Sequence, residues 1–393
     1  MSLKKHISIL LSAAALVGCL TACGQAAEVR PAVKYDAAIT VWYTDDGTPM
    51  WQNLAALSKT YNSGDGAASG VTVTLKSFDS DSALMDAITS GGKPSLVVCS
   101  SDAALALAKT DGVAVSTSKF VTSGTLNGLV SSYIEAGKLD GTLVGVPLAA
   151  SIGLIMVNSA LTSKLSGYSA SAMSTPEGVC QTANSYVKAA GSAFFTSGSF
   201  SLLFRTWLAQ YGDEFRAQKE SDIKSEHYVY LYNLLANTAY NGGVEVTDDD
   251  PAGLVAEGKL PCAVVTSSDA AKYAGASQDA AYLPYPVVKG GKALYPVYIC
   301  DMVITATAEN EGQASAAFIQ WLLANSSGLT SGSGYYPATA LPGSGADSAS
   351  TAKLDAVAAS QSGSLYIPSP SAEYFADSTD FESSFREILT GLS

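Results

Sequence analysis

Apolar and polar positions alternate along Ile39-Thr-Val-Trp-Tyr43, the pattern of a strand with one buried face. From Pro49 to Tyr61 the period lengthens, and Met50, Leu54, Leu57 and Tyr61 fall on one face of a helix. Val71–Leu75 predicts a second strand, and Ser82–Thr89 a short helix stopped by Gly91-Gly92. Leu96-Val-Val-Cys99 is a continuous apolar run, as expected for a strand covered on both faces. Strand, helix, strand, helix, strand predicts a parallel sheet with right-handed crossovers. Ligands of such sheets bind beyond the carboxyl ends of the strands. Those ends are Tyr43–Gly47, Ser77–Asp79 and Ser100–Asp102.

The second half continues the alternation of types. Gly145–Asn158 reads as one long extended segment. Thr175-Pro176-Glu177 marks a helix start, with Thr175 as N-cap and Pro176 at the first helical position. Leu203, Trp207 and Tyr211 recur at four-residue steps, an aromatic stripe on a helix from Ser201. Tyr228–Ala239 predicts a helix, Cys262–Thr266 a strand, Ala314–Leu323 an amphipathic helix and Phe381–Leu389 a closing helix.

The first 22 residues follow different rules. Lys4-Lys5 precedes about ten apolar residues, Ile7–Leu16, too few to span a bilayer. Leu20-Thr-Ala-Cys23 then places small residues before a cysteine, as in a bacterial lipobox whose Cys carries diacylglycerol. Cys19 is an earlier alternative that would shorten the apolar stretch. The expected organisation is a signal peptide at 1–22 and a tether at 23–37.

Charge and composition narrow the chemistry. The chain has 393 residues, 47% of them apolar and 15% charged, and a net charge of −13. Two or three domains are expected at this length, and composition-driven disorder is excluded. The acidic balance excludes nucleic acid as a partner, since phosphate binding needs clustered Lys and Arg. His6 and His227 are the only histidines, which disfavours His-rich metal sites and Ser-His-Asp chemistry. Asp248-Asp249-Asp250 lacks calcium-loop spacing. No cofactor or metal is expected. Four cysteines remain beyond the tether, Cys99, Cys180, Cys262 and Cys300, as disulfides or buried thiols.

Several segments together resemble the extracellular solute-binding proteins of ABC importers, the class that includes maltose-binding and glycerol-3-phosphate-binding proteins. They are ITVWYTDDG at 39–47, GVPLAASIGLIMVNSAL at 145–161, TPEGVCQTANSYVK at 175–188, EGKLPCAVVTSSDAAKY at 257–273, AAFIQWLL at 316–323 and SGYYP at 333–337. The family's Trp after the Thr-Pro start is missing. Val297-Tyr-Ile-Cys-Asp301 stands where it has a Gly-rich segment. The resemblance implies an α/β, two-lobed periplasmic-binding-protein fold, with mostly parallel sheets flanked by helices and a hinge of crossing strands. Lobe 1 is expected at 38–147 and 297–333, and lobe 2 at 148–296 and 334–393. Cys99 and Cys300 are the two cysteines expected to lie close.

Ligand-binding candidates are Trp42, Asp45, Asp46, Ser101, Asp102 and Asp301 on one side of the cleft. Trp207, Tyr211, Ser267, Ser268 and Tyr335 are those on the other. The first set comes from strand ends and from the acid after an apolar strand; the second rests on the family match. Asp and Ser offer hydroxyl partners, and Trp and Tyr offer flat faces to sugar rings. Each has a bland alternative: turn chemistry and capping for the acids and serines, core packing for the aromatics. The function implied is non-enzymatic capture of a small polar solute, a sugar or polyol, for an ABC permease. The protein would act as a monomer outside the cytoplasm, anchored to the membrane by lipid on Cys23. A hydrolase pairing Asp45 with Asp301, or a sensor on the same fold, are the competing readings. No arginine falls in the cleft loops, which argues against a phosphorylated ligand.

Overall fold

The alternating segment forms β1 (Ala37–Thr44), hydrogen-bonded in parallel to β2 (Val71–Phe78) and β3 (Leu96–Ser100). Helices α1 (Pro49–Ser63) and α2 (Asp81–Thr89) connect them, and α3 (Ser101–Lys109) follows. The hydroxyls of Ser80 and Ser100 accept from the amides of Ala83 and Ala103. These caps start α2 and α3 close to the ends of the strands before them. The computed structural model describes residues 33–213, 226–343, 350–368, 382–383 and 385–391. The expected signal peptide, Cys23, most of the tether and Phe381 lie outside the described residues; the closing helix is seen at 385–391.

Next come β4 (Val146–Asn158), α4 (Pro176–Ala190), β5 (Phe195–Ser197), α5 (Phe200–Tyr211) and α6 (Glu226–Tyr240). They are followed by β6 (Cys262–Thr266), α7 (Ser267–Ala271), β7 (Ala280–Pro284), β8 (Tyr295–Ile304) and α8 (Glu309–Ala324). The described chain ends with β9 (Tyr336–Pro337), α9 (Ala352–Gln361), β10 (Leu365–Tyr366) and the closing helix. The sheet order is β2-β1-β3-β8-β4-β6-β5, with β7 and β9 also on β4 and β10 on β8.

β4 explains the two-lobed plan. All 13 of its residues are buried, which is why the segment reads as a near-continuous apolar run. Val146–Ile152 pairs antiparallel with β8, and β8 pairs with β3, completing the first half of the sheet. From Gly153 onward β4 pairs with β6 and β7 of the second half. The strand exchanges its antiparallel partners between Ile152 and Gly153.

Each half has its own core. Met50, Leu54, Phe318 and Leu322 cover one face of the first half-sheet, and Leu84, Ile88, Ala104 and Leu107 the other. Phe195, Phe204, Trp207 and Leu231 centre the second. Polar side chains stitch the crossing segments together. Ser267 Oγ donates to the Gly334 carbonyl (2.6 Å) and accepts from the Ile152 amide (3.0 Å). Gln361 donates to Gly153 O and accepts from Tyr285 N. Gly334 is irreplaceable in this arrangement, since its φ is 70° and a Cβ would lie 2.1 Å from the Ser267 carbonyl oxygen.

Cys99, Cys180, Cys262 and Cys300 are free and buried. Cys99 and Cys300 do lie on adjacent strands, but their register neighbours are Asp301 and Ser100, not each other. Cys99 packs into the core under α2 and α3, and Cys300 into the core under α1 and α8. The two thiols face opposite sides of the sheet and form no bridge. Burial raises both thiol pKa values well above the ordinary range, which leaves them unreactive.

Candidate functional site

The ends of β1, β2 and β3 form a rim of short polar loops. Asp45 Oδ1 accepts from the Gly47 amide (2.9 Å), a turn-forming bond. Asp46 is more heavily used. Its Oδ1 accepts from Thr48 N (3.0 Å) and Trp51 Nε1 (2.6 Å), and its Oδ2 from the Tyr335 hydroxyl (2.9 Å). Asp46 thus joins the first β-turn to the late crossing segment, 289 residues away. Asp81, which sequence reasoning passed over, accepts from Thr44 Oγ1 (2.6 Å) and Ser100 N (3.3 Å) and ties two strand ends together. Asp102 occupies the first turn of α3 and is partly exposed.

Across the hinge, a pocket of about 160 Å³ opens at the ends of β5 and β6. Ser199, Leu202, Thr266, Asp269, Tyr285 and Tyr298 are among its walls. It offers aromatic and aliphatic faces beside a carboxylate and hydroxyls, the mixture that holds a polyhydroxyl ring. Thr266 and Asp269 form a capping box at the start of α7, with Thr266 Oγ1 also 2.7 Å from Asp269 Oδ2. The Lys272 ammonium lies 3.2 Å from Asp269 Oδ1. Burial works to lower its pKa, but the charges of Asp269, Asp46 and Asp250 hold it above the ordinary lysine value. Burial and the nearby Asp46 charge raise the Tyr335 pKa well above the usual phenol range, so it stays a neutral donor.

Asp46 and Tyr335 are brought together, and Ser268 Oγ lies 2.8 Å from Thr266 Oγ1 of the pocket wall. Others are placed elsewhere. Trp207 is wholly buried in the second core and presents no face to a ligand. Tyr211 stacks on His227 at 4.0 Å, beyond the pocket walls. Trp42 packs on Phe78 with the Lys76 ammonium over its ring, and its edge fills the space beside Gly92. Ser267 is fully buried and spends its hydroxyl on the hinge. Ser101 is nearly buried and donates to Asp301 Oδ2 (2.6 Å). Asp301 itself is completely buried, packed over Gly145 beneath α3. It cannot face a ligand in this arrangement or act with Asp45 as a catalytic pair.

The correction on β8 is one of parity. Side chains on a strand alternate between faces, so Tyr298 and Asp301 point to opposite sides. The segment Val297–Asp301 does reach the pocket, but through Tyr298. Asp269 was legible only as part of the Thr-Ser-Ser-Asp capping pattern, and Lys272, three residues on, carried no signal of its own.

A family model described as bacterial extracellular solute-binding protein matches residues 56–356. No curated protein sequence matches the chain. Among solved structures, maltose-bound MalE3 of T. maritima aligns with a TM-score of 0.73 at 14% identity, covering 91% of this chain and 95% of that one. A sugar transporter from Arthrobacter chlorophenolicus with bound laminaribiose aligns at 0.70 and 15%, covering 91% and 95%. The GacH receptor of Streptomyces glaucescens, solved unliganded and with acarbose, aligns at 0.70 and 15%, covering 91% and 94%. At these identities the likeness is one of fold.

Proposed function

Because the chain belongs to the bacterial extracellular solute-binding proteins, we propose that it captures a small carbohydrate or polyol between its lobes and delivers it to an ABC permease. The family binds solutes and does not transform them. The observation that carries the ligand class is the pocket wall itself, where the half-buried Tyr298 stands beside Asp269, Thr266 and Ser199. An aromatic face covers the C–H side of a sugar ring while a carboxylate accepts from its hydroxyls. Asp45, Asp46, Asp102, Ser268 and Tyr335 complete the contacts from the rim and the crossing segment. The maltose, laminaribiose and acarbose ligands of the structural neighbours support the same class.

Capture works by closure: solute touching both lobes shifts the population toward the closed form. A thermal-shift screen of neutral sugars, polyols, sugar phosphates and amino acids tests the ligand class. A ligand at 100 times its Kd adds about 2.7 kcal/mol of stability. Neutral sugars or polyols should raise the melting temperature. Shifts confined to amino acids or sugar phosphates would refute the assignment. Tyr298→Leu, which keeps bulk but removes the ring, should then weaken the best ligand by about 0.5–1.5 kcal/mol in calorimetry.

The protein is read as a monomer held outside the cytoplasm by lipid on Cys23. No described helix is long and apolar enough to cross a membrane. Two acyl chains anchor firmly, at about 0.8 kcal/mol per buried CH₂. Cys23→Ser should move the protein from the membrane fraction to the medium or periplasm. Retention that is lost only when Cys19 is replaced would move the anchor upstream.

A further inference from the structure

Lys272 ends α7, and its side chain is only 19% exposed. It bonds to Asp269 of its own lobe. The same helix carries the crossing segment on its flank: Ser267 holds the Gly334 carbonyl, and a Cβ on Gly334 would lie 2.7 Å from Ala271 Cβ. The next residue, Tyr335, donates to Asp46 of the first lobe. Carboxylates from both lobes therefore converge on the neighbourhood of one half-buried ammonium. Asp250 adds a third negative charge, engaged by the Tyr273 hydroxyl at 2.7 Å.

We propose that Lys272 is a positioning residue for solute capture: a charge clasp that holds Asp46 and Asp269 in register across the cleft. The clasp rests on the reading of this cleft as the binding site. Without the ammonium, the two carboxylates lose the cation in their shared neighbourhood, and their repulsion favours opening. An exposed ion pair would contribute little, but side chains shielded from water are screened less by salt. Opening lowers the fraction of molecules competent to bind, and the apparent affinity falls by that fraction.

The test compares wild type, Lys272→Met and Lys272→Arg, each first checked by circular dichroism for an intact fold. Affinity for the neutral sugar that most stabilises wild type is measured by calorimetry at about 20 mM and about 500 mM salt. Lys272→Met should bind about tenfold more weakly at low salt, near the low end of coupling between sites. Wild-type affinity should fall with salt, that of Lys272→Met should not, and Lys272→Arg should restore both properties. Small-angle scattering without ligand should show a larger radius of gyration for Lys272→Met at low salt. Equal affinities and equal salt dependence overturn the clasp. So does a loss that is the same at both salts and that arginine fails to rescue. If no neutral sugar or polyol binds wild type, the carbohydrate reading fails. The clasp is then decided by scattering alone, and identical radii refute it.

Discussion

Trp207→Ala should lower stability by about 3–5 kcal/mol, the range for removing a large aromatic side chain from a packed core. Trp207 is wholly buried in the second core among Phe204, Leu203 and Leu208 of its own helix and Leu231 and Leu235 of α6. The four-residue stripe that marked it in the sequence is the face α5 turns inward. Its indole N–H has no hydrogen-bond partner among the described residues. Trp207→Phe removes that unpaired donor and keeps most of the volume, so its loss should be much smaller. Urea unfolding of the two variants checks the contrast. Solute affinity of Trp207→Phe should equal wild type; a tenfold loss of affinity with unchanged stability would return Trp207 to the cleft.

The second large effect depends on pH. Asp301 is fully buried, with Oδ2 accepting from Ser101 and Oδ1 unpartnered among the described residues. Burial raises its pKa from 3.8 to about 7; the Ser101 bond opposes this and the Asp102 charge adds to it. Between those two values the folded protein keeps a proton that the unfolded chain has released. The contribution to stability is therefore complete below pH 4 and is lost as pH rises toward 7. At about 1.4 kcal/mol per pKa unit the loss approaches 4 kcal/mol as an upper bound. Asp301→Asn, which mimics the neutral acid and can still accept from Ser101, should flatten this slope and be more stable than wild type at pH 8. Denaturation midpoints from pH 4 to 8 for both proteins decide it. Parallel curves would mean that Asp301 is not the titrating group.

The sequence carried the elements well where one physical signal was enough. The period-two and helical stretches from Ile39 to Cys99 became β1, α1, β2, α2 and β3, and the Thr175-Pro176 start is an N-cap whose hydroxyl accepts from Gly178 N. The extended reading of Gly145–Asn158 anticipated β4. Its change of partners at Gly153 was not legible, because pairing depends on segments more than 100 residues downstream. The site was harder for the same reason. Asp46 and Tyr335 were named separately from a strand end and a family match, and only the fold joins them. Composition could not tell a core aromatic from one at the surface, so Trp207 was named and Tyr298, which lines the pocket, was not. Nor could it tell a half-exposed acid from a buried one, so Asp301 was named and Asp269, which lines the pocket, was not.

The path of β8 also bears on how the chain is made. Ser101 and Asp301 meet although 200 residues separate them, and the first half-sheet stays unfinished until β8 is in place beside β3. Closing so long a loop costs entropy before any contact compensates, and such topologies fold slowly. A ribosome that has released the first 150 residues has released no complete lobe. The first half-sheet therefore cannot close until about three-quarters of the chain has been synthesised.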